Sequence, residues 1–288
     1  MKNILSIDVE DWFHILDLPS TPSIKVWSKL ESRVEKNFIT LLDELEKYNI
    51  NVTCFFLGWI AERFPRLVIE ADKRGHEIAS HGYAHELTYN LTPKQFFQDI
   101  CKSKKILEDI TGKQCKGYRT PGFSIKENNK WIFNEIISAE YEYSSSIFPG
   151  SRGHGGMKNS EMFPYRIITN NGSILEFPIT VKKIFLNKRI CFFGGGYLRL
   201  FPYQTIEYFR KKVNNEGRPV IYYIHPREID IKQPRLPMNF KRSFKSYYNL
   251  RTTIDKVRNI LQNDKITSFN NWITDNEAFE YRETKLQI

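Results

Sequence analysis

The chain has 288 residues, 41% of them apolar, 26% charged and 14% aromatic, with a net charge of +10. That composition buries a sizeable core and excludes disordered, collagen-like and low-complexity chains. The length is about twice that of a common domain, yet barrels and large α/β folds run this long as one unit, so a single domain over 1–288 is expected.

The opening Met-Lys-Asn-Ile-Leu-Ser-Ile-Asp meets Asp8 and Glu10 before its apolar run reaches the about 7–15 residues of a signal-peptide core. No other stretch approaches the ~18 apolar residues that span a bilayer, so a cytoplasmic location is expected. Cys54, Cys101, Cys115 and Cys191 are widely spaced with no Cys-x-x-Cys pair, which argues against a disulfide framework and a thiolate metal site. Charge is uneven: residues 182–258 carry 18 Lys/Arg against 5 Asp/Glu, a net +13 that leaves the rest near −3. The basic part is either a solvated surface or a face for an anionic partner such as an acidic glycan, a lipid-linked diphosphate or the inner membrane surface. No nucleic-acid-binding signature accompanies it, and no nucleic acid is expected as a partner.

In chain order, β-branched or aromatic runs fall at 4–9, 52–57, 77–80, 117–119, 141–146, 175–181, 220–224 and 266–269. Helices fit between many of them. Val34, Phe38, Leu41, Leu42 and Leu45 form the stripe of a helix packed on a sheet. Thr92-Pro93-Lys94-Gln95 is a capping-box start, with Phe96, Ile100, Leu107 and Ile110 continuing one face. A third helix is expected from Tyr203, with Ile206, Phe209 and Val213 inward, and a C-terminal helix and strand at about 246–277 pack on a core of about 4–235. Strand and helix alternating this often imply a mainly parallel α/β sheet, open or closed into a barrel, whose chemistry collects where strands end.

Four polar groups sit directly after apolar runs. Asp8, Glu10 and Asp11 crowd three carboxylates into four positions, costly unless a cation or proton relieves them; the plain alternative is an acidic loop capping the next segment. Strand alternation puts Asp8 and Glu10 on one face, and Asp11 reaches the same point only if the chain turns after Val9. His81 and His85 are four apart, and on a helical turn both rings project to one side and can share an ion. Two imidazoles with one carboxylate form a common open set for Zn²⁺ or another divalent first-row metal. Arg119, before the turn signal Pro121-Gly122, can hold a carboxylate bidentately. His225 ends the run 220–224 and titrates in the range suited to proton donation.

In joint order these pieces resemble the polysaccharide deacetylases of carbohydrate esterase family 4, the NodB-homology domain, and closely its branch associated with bacterial exopolysaccharide loci. The matching segments are Asp-Val-Glu-Asp-Trp at Asp8, Ser-His-x-x-x-His at Ser80, Arg-x-Pro-Gly-Phe at Arg119, Ser-Ser-Ile-Phe-Pro at Ser145, Gly-Gly-Gly-Tyr at Gly194 and Tyr-x-His-Pro-x-Glu at Tyr223. The resemblance covers residue 4 to about 235. It implies a distorted (β/α)7 barrel and a metal-dependent hydrolase that removes the N-acetyl group of an N-acetylated amino sugar in exopolysaccharide or other surface-glycan biosynthesis. The substrate is then a free sugar, an oligosaccharide or a lipid-linked glycan, the last suiting a cytoplasmic enzyme peripheral at the inner membrane. The metal it implies is divalent, with Zn²⁺ first and Co²⁺, Ni²⁺, Mn²⁺ or Fe²⁺ as alternatives.

Residue by residue, the resemblance makes Asp8 the general base, His81 and His85 metal ligands, Arg119 the group that orients the base, and His225 the general acid that protonates the departing amine. The family's usual metal-binding Asp follows the base directly, but position 9 is Val. Glu10 is slightly favoured as the third ligand, with Asp11 the other choice. Ser144 stands where relatives usually carry Asp, so Arg152 and His154 in the following loop are candidate substrate contacts, the alternative being that the loop is only a polar lid. Trp12, Phe13, Tyr118, Phe123 and Tyr197 are candidates to stack on a sugar ring, with Pro121 and Gly122 beside them, the alternative for each aromatic being a place in the core. A backbone N–H near Gly122 or Phe123 is expected to help hold the oxyanion. Gly194-Gly195-Gly196 allows a close approach of backbone to ligand. Two rival readings are a related C–N hydrolase, allantoinase-like or a cyclic imidase, and a catalytically silent glycan-binding protein.

Overall fold

The computed structural model of the chain describes residues 1–151, 153–184 and 188–286. Its strands are β1 Asn3–Val9, β2 Thr53–Phe56, β3 Glu77–Ser80, β4 Gly117–Tyr118, β5 Tyr143–Ser144, β6 Tyr165–Thr169, β7 Gly172–Glu176, β8 Val181–Lys183, β9 Arg189–Cys191, β10 Ile221–Ile224, β11 Ile266–Thr267 and β12 Arg282–Lys285. Seven of them run parallel in the order β10-β1-β2-β3-β4-β5-β7. This is the expected mixed α/β fold, with the parallel strand count of the distorted (β/α)7 barrel. The distortion lies between β7 and β10, which share no ladder. There the linking chain is held by Phe177 and Ile179 N–H groups donating to the Ser144 and Ile147 carbonyls, and by the Ile221 N–H donating to the Thr180 hydroxyl.

Two cores follow from strand alternation. On one side of the sheet Leu5, Ile7 and Val9 of β1 meet Cys54 and Phe56 of β2 and the helix Val34–Glu46, whose Val34, Phe38, Leu41, Leu42 and Leu45 are buried as the sequence stripe predicts. On the other, Ile4, Phe55, Ala79, Tyr143, Leu175, Ile221 and Tyr223 fill the barrel interior, which Phe269 and Trp272 stopper. The helix Pro93–Thr111 starts as expected, with the Thr92 hydroxyl accepting from the Gln95 N–H and the Gln95 side chain accepting from the Thr92 N–H. The helix Tyr203–Asn214 buries Ile206 and Val213 and stacks Phe209 on Phe192, ring centroids 4.0 Å apart.

Two expectations need correction. The run at 266–269 pairs only at Ile266 and Thr267; Ser268 then caps the helix Phe269–Asp275, its hydroxyl accepting from the Asn271 N–H. The run at 175–181 is not one strand, because its middle residues form the irregular link that bridges the barrel seam. The β6–β7 hairpin was not anticipated, although Asn170-Asn171 before Gly172 is a hairpin-turn sequence.

Candidate active site

β1 runs through Ser6 and Asp8 with both side chains turned into the barrel mouth, and Glu10 continues that face. Asp8 and Glu10 are almost wholly buried and line a cleft of about 680 Å³ above the strand ends. Asp11 is elsewhere. Its carboxylate accepts from the Trp12 N–H at 2.8 Å, the Ser32 hydroxyl at 2.6 Å, the Arg33 N–H at 2.9 Å and the Val34 N–H at 3.2 Å. It caps the turn Trp12–His14 and ties it to the next helix, so it is not the third ligand and the capping alternative holds for this residue alone.

His81 and His85 converge as expected, but not on a helical turn. The segment after β3 is a loop in which Gly82 (φ +74°) and His85 (φ +55°) both take left-handed conformations. The Asp99 carboxylate holds that loop by accepting from the Tyr83 and Ala84 N–H groups at 2.8 and 3.0 Å. The His81 Nδ1–H donates to the Arg119 carbonyl at 2.8 Å, which fixes the tautomer and leaves Nε2 bare. That Nε2 and the His85 Nε2 lie 3.2 and 3.0 Å from the Glu10 carboxylate oxygen Oε1. Burial pushes the Glu10 carboxyl up, but the neighbouring His85 and His225 imidazoles outweigh it and hold it well below the usual carboxylate range.

Arg119 follows β4 and is fully buried. Its Nη1 donates to Asp8 Oδ1 at 2.6 Å and to the Ser6 hydroxyl at 2.7 Å, Nε to the Ser145 carbonyl and Nη2 to the Ser145 hydroxyl, both at 3.1 Å. The guanidinium lies 4.1 Å from the Phe55 ring centroid. One Asp8 oxygen is thereby fixed. The other, Oδ2, lies 3.8 Å from the His225 Nε2.

His225 ends β10 and caps the turn Pro226–Ile229, with Glu228 accepting from both its backbone N–H and its Nδ1–H, at 3.1 and 3.2 Å. The Nε2 then faces Asp8 and Glu10, 3.7 Å from the latter. Burial pulls the His225 imidazole down, but Glu10 and Glu228 pull harder, and its pKa is raised above the ordinary value. Glu228 sits at about 2 despite burial, because Arg199 at 3.4 Å and His225 hold its charge.

Of the expected substrate contacts, Gly122, Phe123, His154 and Tyr197 line the cleft. Trp12 does not: its indole N–H donates to the Glu31 carbonyl and its ring packs on Phe13. Tyr118 does not either, being buried with Phe96 and Tyr141 on the helix side of the sheet. Pro121 is buried in the turn beneath, with its carbonyl bound by the Ser124 hydroxyl. Arg152 lies outside the described residues. The Phe123 N–H closes its turn on the Thr120 carbonyl at 3.2 Å, which removes it as an oxyanion donor. Gly194 approaches a side chain, not a ligand: a Cβ there would lie 2.1 Å from the Tyr223 ring. Sequence reasoning passed over Glu228, Arg199, Arg227 and His14, all of which line the cleft. The Glu three places after His225 was a readable turn-capping signal.

The donor set suits a divalent cation. Glu10, His81 and His85 each offer one atom, all within 4.8 Å of one another, from buried side chains; Asp8, Glu10 and His225 form a second such group. The fixed His81 tautomer and the charged state of Glu10 present lone pairs to a common point, which is what an open site of two imidazoles and a carboxylate requires.

Residues 21–142 match the polysaccharide deacetylase family model, and residues 145–274 match a domain of unknown function, DUF3473. A peptidoglycan-N-acetylglucosamine deacetylase of Bacillus cereus is 35% identical over 92 residues, 32% of this chain and 34% of that protein. A peptidoglycan deacetylase of Helicobacter pylori is 32% identical over 111 residues, 37% of this chain and 36% of that protein. The chain thus spans about a third of the length of these curated relatives. A solved structure of a Mycobacterium smegmatis protein assigned as a polysaccharide deacetylase shares the fold with a TM-score of 0.66 at 18% identity, covering 99% of this chain and 93% of that one. His81, His85 and Arg119 fall inside the segment that matches the polysaccharide deacetylase model, Asp8 and Glu10 precede it, and His225 lies in the second matched segment.

Proposed function

We propose that the protein is a metal-dependent N-deacetylase acting on an N-acetylated amino sugar of an exopolysaccharide or other surface glycan. The observation that carries this reading is the meeting of Asp8 and His225 on either side of Glu10, His81 and His85, with each outer group backed by a buried partner of opposite charge. Peptidoglycan deacetylases among the relatives support the substrate class, and the donor set supports zinc as the metal.

Glu10, His81 and His85 would hold the ion, which when bound polarises the acetamide carbonyl and makes water a better nucleophile. Asp8 takes the proton of the attacking water. Its Oδ1 is committed to Arg119, so Oδ2 accepts, and the orientation costs nothing at the moment of reaction. His225 gives its Nε2 proton to the departing amine, since expulsion of an unprotonated amide nitrogen is prohibitively slow. Glu228 fixes the imidazole with Nδ1–H inward and favours its charged form.

Zinc analysis alongside acetate release from N-acetylglucosamine oligosaccharides and N-acetylmuramic acid tests the reading. One equivalent of metal and measurable acetate are expected, with metal falling towards zero in His81→Ala. Loss of acetate release with metal retained, or no acetate from any N-acetylated sugar, contradicts it. The paired imidazole gives a second expectation. His225 must be protonated to act, and Glu228 raises its pKa, so Glu228→Gln lowers that pKa and moves the basic limb of the kcat/KM profile to lower pH. A basic limb that stays in place would separate Glu228 from the general acid.

A further inference from the structure

The cleft carries more positive charge than the reaction uses. Its carboxylates are matched: Asp8 by Arg119, Glu10 by His81 and His85, Glu228 by Arg199 and His225, and Asp17 by His154 at 3.1 Å. Arg199 is spent as well, because its Nη1 and Nη2 donate to the Ser246 and Lys245 carbonyls while Nε faces Glu228. Arg242 donates from Nη2 to the Leu16 carbonyl.

Arg227 differs. It follows the general acid by two residues on the turn Pro226–Ile229, lines the cleft, and makes no ion pair or side-chain hydrogen bond among the described residues. Its Nε and Nη1 are shut off from water with no acceptor. Withdrawing two charged donors from water without a protein partner is unfavourable, and such a group persists in a well-packed site when something outside the chain completes it. The backbone beneath it is rigidly placed. Glu228 caps the turn, and the Gln233 Nε2 donates to the Arg227 carbonyl at 2.6 Å. It lines the reacting end of the cleft together with His14 and His225. Lys245 lines the same cleft from an exposed position, and both belong to the strongly basic segment 182–258.

We propose that Arg227 binds an oxyanion, a carboxylate or phosphate ester, carried by the amino sugar whose acetamide is cleaved. A guanidinium presents paired N–H donors in a fixed fork that matches either group. The inference rests on the deacetylase reading for the sugar, but the anion subsite has its own readout. In calorimetry, glucuronate should bind the full chain at least tenfold more tightly than glucose, and Arg227→Gln should remove that advantage, whereas Arg227→Lys keeps part of it. In acetate release, kcat/KM for N-acetylmuramic acid or N-acetylglucosamine 1-phosphate should exceed that for N-acetylglucosamine at least tenfold, and Arg227→Gln should bring the ratio close to one, chiefly through KM. Whichever anionic sugar loses more identifies the group as carboxylate or phosphate. Equal values for neutral and anionic sugars in the wild type, or an anionic advantage that survives Arg227→Gln and falls in Lys245→Gln, overturn the proposal. Absence of acetate from every sugar would sink the deacetylase reading, while an Arg227-dependent preference for glucuronate would still support the anion site.

Discussion

Asp8→Asn should leave the chain folded and able to bind its metal while lowering kcat for acetate release by roughly 10²–10⁴-fold, the range associated with losing a positioned general base. The substitution keeps the size of the side chain and leaves an oxygen for Arg119 Nη1, but an amide does not accept a proton from water. The contrast with Glu10→Gln is diagnostic. Glu10 Oε1 is the atom nearest both imidazoles, so that change should remove metal and activity together. Acetate release measured with metal content on the same samples checks both. A fall of less than tenfold in Asp8→Asn would exclude Asp8 as the base. Loss of metal from that variant would move Asp8 into the ligand set, which the proximity of Asp8, Glu10 and His225 donor atoms allows.

Much of this site was legible because strand period and strand ends are local signals. Asp8 and Glu10 share a face by alternation, and both end at the cleft. The same rule assigned more than was taken from it. Ser6, Asp8 and Arg119 point into the barrel, so Tyr118, the neighbour of Arg119, must point out, and it does so into the helix layer with Phe96. The histidine spacing was readable while its cause was not. Sequence separation of four suggests a helical turn, but the rings converge through two left-handed residues in a loop anchored by Asp99, whose contacts come from a helix 15 and 16 residues downstream. Asp11 was illegible for the opposite reason. Three carboxylates in four positions look alike until the chain turns after Glu10 and gives Asp11 three backbone N–H groups and a hydroxyl. Partners far apart in sequence, such as Arg199 with Glu228 or Arg119 with Asp8, separated by 111 residues, depend on closure of the sheet and have no local signature.

The Asp8–Arg119 pair also sets the expected stability of the barrel mouth. Both side chains are shut away from water, and Arg119 gives donors to Asp8 and Ser6 of β1 and to Ser145 at the end of β5. Replacing Arg119 with Met keeps an unbranched apolar stem against Phe55 but strands a buried carboxylate and the Ser145 carbonyl. Breaking a buried pair from one side costs about 3–5 kcal/mol, more than the apolar stem returns. For a domain larger than 150 residues this lowers Tm by on the order of 10 °C. Arg119→Lys retains the charge but reaches with one nitrogen where the guanidinium uses three, so it should recover part of the Tm and little of the activity, because Asp8 would be paired without being oriented. Thermal unfolding of the three chains orders them wild type above Lys above Met. A Met variant as stable as wild type would mean that the pair serves orientation of the base alone and that the mouth is held by its apolar walls.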